Sequence, residues 1–332
     1  MRKLITLPEE RRETGGYPRV PGSPRPRVPA SPRLPVSALA LLLALFCTIN
    51  FTSWAQGERA DQNGSHSSRL RETMSAEARE TVERAIDIVC TERKTDPKGS
   101  IPIDDMQARP SLSVQDPAAV AGARRAQRLL PTARNLVISS LRQLAVEYNF
   151  QRNRIFASRL ERAISRVQGV RRIRPDMDSR DNASVFLRSP HTITFGTIFL
   201  AGLPSDEGMI SVLAHELVHI ADGDEDSLRL LFRAIGNRAS LLTKLRIRDQ
   251  RAEELTCDLV GAMAAREYVS ADPNYEELPR RIARAIEHNC VSEDEGDEDH
   301  LSPRNTIRAL LSLQPNLTTE LVYGLQEKVP VR

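Results

Sequence analysis

The chain has 332 residues, room for one large or two modest domains, and 40% of them are apolar, enough for a core despite a single Trp. Its 47 basic and 44 acidic side chains nearly cancel, which argues against a nucleic-acid partner. The cysteines form no C-x-x-C pair, so neither a thiolate zinc site nor a thioredoxin-type redox motif is indicated.

Residues 1–36 are rich in Arg and Pro, cannot bury apolar area and are expected to be a disordered basic leader. The stretch "VSALALLLALFCTINFTSWAQ" then runs for about twenty residues without a charge. It reads either as a signal peptide over 37–55, cleaved near Ala55, or as an uncleaved anchor with its basic side in the cytoplasm. Both readings export everything after residue 56 to a periplasmic or extracellular location; the second keeps the protein associated with the membrane. Residues 56–128 read as a linker and an N-terminal helical region, and 129–332 as the main domain. In the former, "SAEARETVERAIDIVCTER" is an amphipathic helix with Ser75 as its cap. Export would permit a Cys90–Cys290 disulfide, whereas Cys257 reads as a small core residue.

Helical periodicity spans Pro117 to Phe150, with an interruption expected at Pro131, and resumes from Arg154 to Val167. Residues 152–174 carry eight Arg against one acid, read as a solvated helix face or, alternatively, as a contact for anionic lipid head groups. The runs "ASVFLRS" and "HTITFGTIFLAGL" are β-like. After "GLPSD" a helix is expected to start at Ser205, with Asp206 and Glu207 in its first turn.

That helix contains "SVLAHELVHIAD". Positions i and i+4 share a helix face, so His215 and His219 can aim at one metal ion. Glu216, beside the first of them, is angled to reach a water on that metal; two ligands plus a general base are the physical content of H-E-x-x-H. Leu213, Leu217, Val218 and Ile220 make the surroundings apolar, where two neutral imidazoles need partners that a metal supplies.

Zinc chemistry needs a third protein ligand and an open fourth position. Downstream, "RAEELTCDLVGAMAAREY" is again helical, with Glu254 and Asp258 one turn apart. Glu254 can complete the ligand set, and Asp258 can bond an imidazole N–H from outside it. Glu253 competes for the ligand role. The apolar stripe Leu255, Leu259, Met263 puts 254 and 258 on a common face and favours Glu254. Farther on, "SEDEGDED" is a surface loop and "SPRNTIRALLSL" a final helix. His191 reads as a rim residue; His66 and His288 have no partner at ligand spacing. Asp222, Asp224 and Asp226 lack the Gly and terminal Glu of an EF-hand and read as a solvated acidic turn.

"HELVH", followed 35 residues after its second His by "EELTCD", resembles the gluzincin metallopeptidases of the HtpX and CAAX-prenyl-protease type, whose second motif is E-x-x-x-D. Three further pieces agree in order. "DNASVFLRS" is similar to the family's Asn-Ala strand, with Asn182 and Ala183 in place. "TITFGTIFLAGL" resembles the strand ahead of the metal helix, and "SPRNTIRALL" a C-terminal segment in which Pro303 and Arg308 fit. The resemblance covers residues 130 to 312.

It implies an α+β fold, a mainly helical zincin-type domain with a small β-sheet beside the H-E-x-x-H helix. It implies one Zn2+ held by His215, His219 and Glu254, with Glu216 as catalytic base. An edge strand around Thr192 to Phe199 would take a polypeptide substrate as an added strand, and His300 or Arg308 would contact substrate or transition state. The sequence departs from the family at Ser302, where His is usual, and at Cys257, where Ala is usual. It also has at most one membrane segment, which points to a soluble exported branch and away from prenylated substrates. The expected function is zinc-dependent endopeptidase action on exported or membrane-associated proteins. A non-catalytic binding or chaperone-like module on the same fold is the alternative, and a lipid-surface adaptor a third reading.

Overall fold

The computed structural model describes residues 73–95, 110–180, 182–186, 188–202, 205–223, 226–272 and 296–323. The expected leader, the signal or anchor, His66, His288 and Cys290, the expected partner of Cys90, lie outside the described residues. Residues 63–332 form one unit. Its described elements are α1 (Ala76–Thr95), α2 (Pro117–Glu147), α3 (Arg154–Gly169), β1 (Arg172–Asp176), β2 (Ala183–Val185), β3 (Thr192–Gly196), α4 (Thr197–Gly202), α5 (Asp206–Asp222), α6 (Arg229–Thr243), α7 (Gln250–Ser270), α8 (Pro303–Leu313) and α9 (Pro315–Tyr323). The architecture is the broadly α+β one expected, mostly helical with one three-stranded mixed sheet. No helix among the described residues is long and apolar enough to cross a membrane.

α5 sits at the centre because it is apolar on every side. Met209, Ile210, Leu213, Ala214, Leu217, Val218 and Ala221 are all fully buried. It starts where expected, with Ser205 Oγ accepting the Gly208 N–H at 3.0 Å, and ends at Gly223, whose φ of 60° suits a residue without a Cβ. Helices α2, α3 and α7 pack around it. Arg166, from the Arg-rich segment, turns in to donate to the last carbonyls of α5, Ala221 O at 2.9 Å and Asp222 O at 3.1 Å.

The structure differs from the sequence reading in several places. α2 runs unbroken through Pro131, because Leu130, Ala133 and Val137 bury a continuous face. That burial outweighs the roughly 3 kcal/mol cost of an interior proline. The expected boundary at 128/129 therefore falls inside an element, and α1, placed in the earlier region, packs against α8 and α9. Residues 172–176 are not helix face but edge strand β1, which tolerates Pro175 at its margin.

The second β-run stops at Gly196, where an added Cβ would lie 1.9 Å from Arg180 O. Beyond it Ile198 and Phe199 donate to that same carbonyl and open α4. An apolar run this short fits helix or strand equally well. β3 is also the central strand, parallel to β1 (Arg172 opposite Thr192) and antiparallel to β2 (Ala183 opposite Phe195), so it is not an edge that could receive a substrate.

α7 crosses α5 at close range: a Cβ at Gly261 would lie 2.8 Å from Ser211 O. Gly261→Ala is expected to push the helices apart and destabilise the protein by about 1–3 kcal/mol. A lowered thermal midpoint is the expected result; an unchanged midpoint would show that the approach is not tight.

Candidate metal centre

Two helices supply the site. α5 carries His215, Glu216 and His219, and α7 carries Glu253, Glu254, Cys257 and Asp258. The i, i+4 spacing brings the imidazole Nε2 atoms of His215 and His219 to 3.2 Å from each other. Glu254 Oε2 completes a triangle, 3.3 Å from His215 Nε2 and 3.5 Å from His219 Nε2. On the far side of each ring a carboxylate holds Nδ1: Asp258 Oδ1 at 2.8 Å from His215 and Glu253 Oε1 at 3.0 Å from His219. Glu216 is buried beside them.

A carboxylate can only accept, so each Nδ1 is the donor, and each ring, when neutral, presents a bare lone pair at Nε2. Three lone pairs, two of nitrogen and one of a carboxylate oxygen, then face one another across a gap of little more than 3 Å. Such an arrangement calls for positive charge, supplied by protons on the imidazoles or by a metal ion.

Without a metal, the protonation equilibria show this demand for positive charge being met by protons on the rings. Burial opposes a charge on His215, yet its bonds to Asp258 and Glu254 raise its pKa well above the usual imidazole value. For His219 burial again opposes the charge, while Cys257, Glu253 and Glu254 favour it, and the net direction is up. Burial pushes the Cys257 thiol up too, against the pull of both histidines. Burial works to raise Glu254, but the two imidazoles hold it far below the ordinary carboxylate range. Burial also raises Glu216, against the pull of both histidines.

His215, His219 and Cys257 form a group with ligand atoms within 4.8 Å of one another, and it could hold a metal ion. The sulfur approaches His219 on the Nδ1 side, at 3.8 Å, where Glu253 already binds. The Nε2 side is the one that converges with Glu254. As expected, Cys257 is fully buried in the core.

Of the other sequence-derived residues, His300 is near the cluster, its Nε2 3.8 Å from Glu254 Oε2, on a short turn in which Asp297 Oδ1 accepts the His300 N–H. Arg308 is not part of it. Its guanidinium donates to Glu83 at 2.8 Å and to Asn305 at 2.7 Å, tying α8 to α1. His191 lies at the surface with Nδ1 3.0 Å from Gly169 O, and Asp226 pairs with Arg229 in an exposed turn.

Glu253 is the residue that sequence reasoning misplaces, weighing it only as a rival ligand. A signal is present: two ligating imidazoles need two Nδ1 acceptors, so the helix that brings one ligand carboxylate should bring two more. No family model, no curated protein and no solved structure matches this chain.

Proposed function

We propose that the protein is a zinc-dependent endopeptidase of the HtpX and CAAX-prenyl-protease type, with His215, His219 and Glu254 as metal ligands and Glu216 as general base. One observation carries the reading. The triangle of Nε2, Nε2 and Oε2 atoms has edges of 3.2, 3.3 and 3.5 Å. Bonds of about 2.0–2.1 Å in a tetrahedral zinc site place neighbouring ligand atoms roughly 3.3 Å apart. Glu254 is therefore preferred over Cys257, which approaches from the wrong side of His219.

When bound, zinc supplies Lewis-acid chemistry, polarising a scissile carbonyl and making water acidic near neutral pH. The chain's own residues do the rest. Glu216, buried beside the first ligand, takes the proton of the attacking water and returns it to the leaving amine. Its raised pKa suits a group that must give the proton back. Asp258 and Glu253 fix both rings with Nδ1 protonated and Nε2 free. His300, more than half exposed beside Glu254, is positioned to donate to a carbonyl oxygen entering the site. β2, paired on one side among the described residues, offers the free edge on which an extended polypeptide adds as a strand.

The test is digestion of an unfolded protein substrate with metal analysis of the same sample. Near-stoichiometric zinc, activity lost to a chelator and activity regained with zinc are expected. Purified protein that takes up no divalent metal would sink the reading. Asp258→Asn and Glu253→Gln are each expected to weaken zinc by about 10–100-fold in a competition titration, because a neutral amide oxygen accepts from the ring Nδ1–H more weakly than the carboxylate does.

A further inference from the structure

From the corner that joins α2 to α3, remote in role from the metal cluster, we infer that the protein docks on anionic phospholipid surfaces. The corner spans residues 146–155 and exposes the two barest large aliphatic side chains among the described residues, Val146 at 60% and Ile155 at 68%. Neither is loose. Asn149 takes the left-handed conformation, with φ of 63°, to turn the chain out of α2. Asn153 then caps α3 by accepting the N–H groups of Ile155 and Phe156, both at 3.1 Å. The Phe150 ring stacks on buried Phe156 with centroids 4.6 Å apart and braces the turn from below. The two aliphatic groups are therefore held outward by a rigid frame, which hydration alone disfavours.

The charges around them have one dominant sign. Arg142, Arg152, Arg154, Arg159 and Arg162 stand against Glu147 and Glu161, and the ion pair of Arg142 with Glu161 is long at 3.8 Å and open to solvent. Guanidinium groups bind phosphate oxygens in pairs, and aliphatic groups at their centre enter the head-group boundary. Aliphatic knobs do not offer the flat rings on which nucleic-acid bases stack, so lipid fits better than single-stranded nucleic acid. The inference does not rest on the metal reading.

The full chain can test it with a reporter at the corner itself. In the variant carrying Trp54→Phe and Ile155→Trp, the only indole reports whether position 155 enters lipid, whatever the N-terminal apolar segment does. Vesicles of brominated phosphatidylcholine containing phosphatidylglycerol are expected to quench and blue-shift that indole. Salt should reverse the effect, since exposed charges are screened within about 10 Å at 0.1 M. Arg152→Gln, Arg154→Gln and Arg159→Gln together should weaken the apparent affinity roughly 100-fold, and chelator should change nothing. An indole that stays solvent-exposed would overturn the inference. So would quenching that is equal on neutral vesicles and indifferent to the arginine replacements, or a response to an oligonucleotide and not to vesicles.

Discussion

Glu216→Gln is expected to lower peptide hydrolysis by roughly 10²–10⁴-fold while leaving zinc content and affinity unchanged. The carboxylate is not one of the three atoms that converge on the metal position, so removing its charge spares the ligand set. The amide keeps the shape of the side chain but cannot accept a proton from water. Stability gives a second readout on the metal-free protein. Burial raises the Glu216 pKa above its ordinary 4.5, so the folded state holds that proton more tightly than the unfolded chain does. The stabilisation this proton brings is complete below pH 4.5 and is lost as pH rises through the raised folded value. Above that raised value the wild type buries a charge that the Gln variant does not. The variant is expected to melt no lower than wild type there, with any advantage fading toward pH 4.5. Full activity in Glu216→Gln would remove the assigned base; loss of zinc in it would mean that the carboxylate ligates.

The second large effect separates two ligand sets. Glu254→Ala is expected to weaken zinc by more than the roughly 10–100-fold that loss of an outer partner costs, and to abolish activity with it. Cys257→Ala should keep zinc, at a cost in stability of about 1 kcal/mol for the small buried void it leaves. Titration with a chromophoric chelator reads both. The opposite pattern, zinc lost with Cys257 and kept without Glu254, would establish a ligand set of two histidines and a thiolate. Cobalt in place of zinc adds an independent mark, because a thiolate ligand gives an intense charge-transfer band that a carboxylate does not.

Much of this centre is legible in the order of residues, and the legible parts share one feature: they are local. A helix from Ser205, its apolar girth, and the shared face of His215 and His219 come from spacing and capping within one turn or two. The pairing of Glu254 with Asp258 on a second helix arises in the same way. The sheet is less legible. β1 is hidden because Arg172, Arg174 and Pro175 carry little β signal, and its alignment comes from β3, twenty residues away. α4 has the pattern of a strand because Thr197 to Leu200 is apolar but for one threonine, and only the capping carbonyl of Arg180 makes it helical.

The sequence by itself thus determined the two helices that carry the candidate site and the chemistry each can carry. Tertiary structure alone decided how they meet. The close approach at Gly261 lays α7 against α5. That approach puts Glu254 on the Nε2 side of the rings and Glu253 and Cys257 on the Nδ1 side of His219. It also decided that Arg308 would serve α1 and that His300 would stand by the cluster. The reason is physical: helical periodicity acts over a few residues and is written in their order. Which face of one helix meets which face of another depends on the burial of the whole core, to which every element contributes at once.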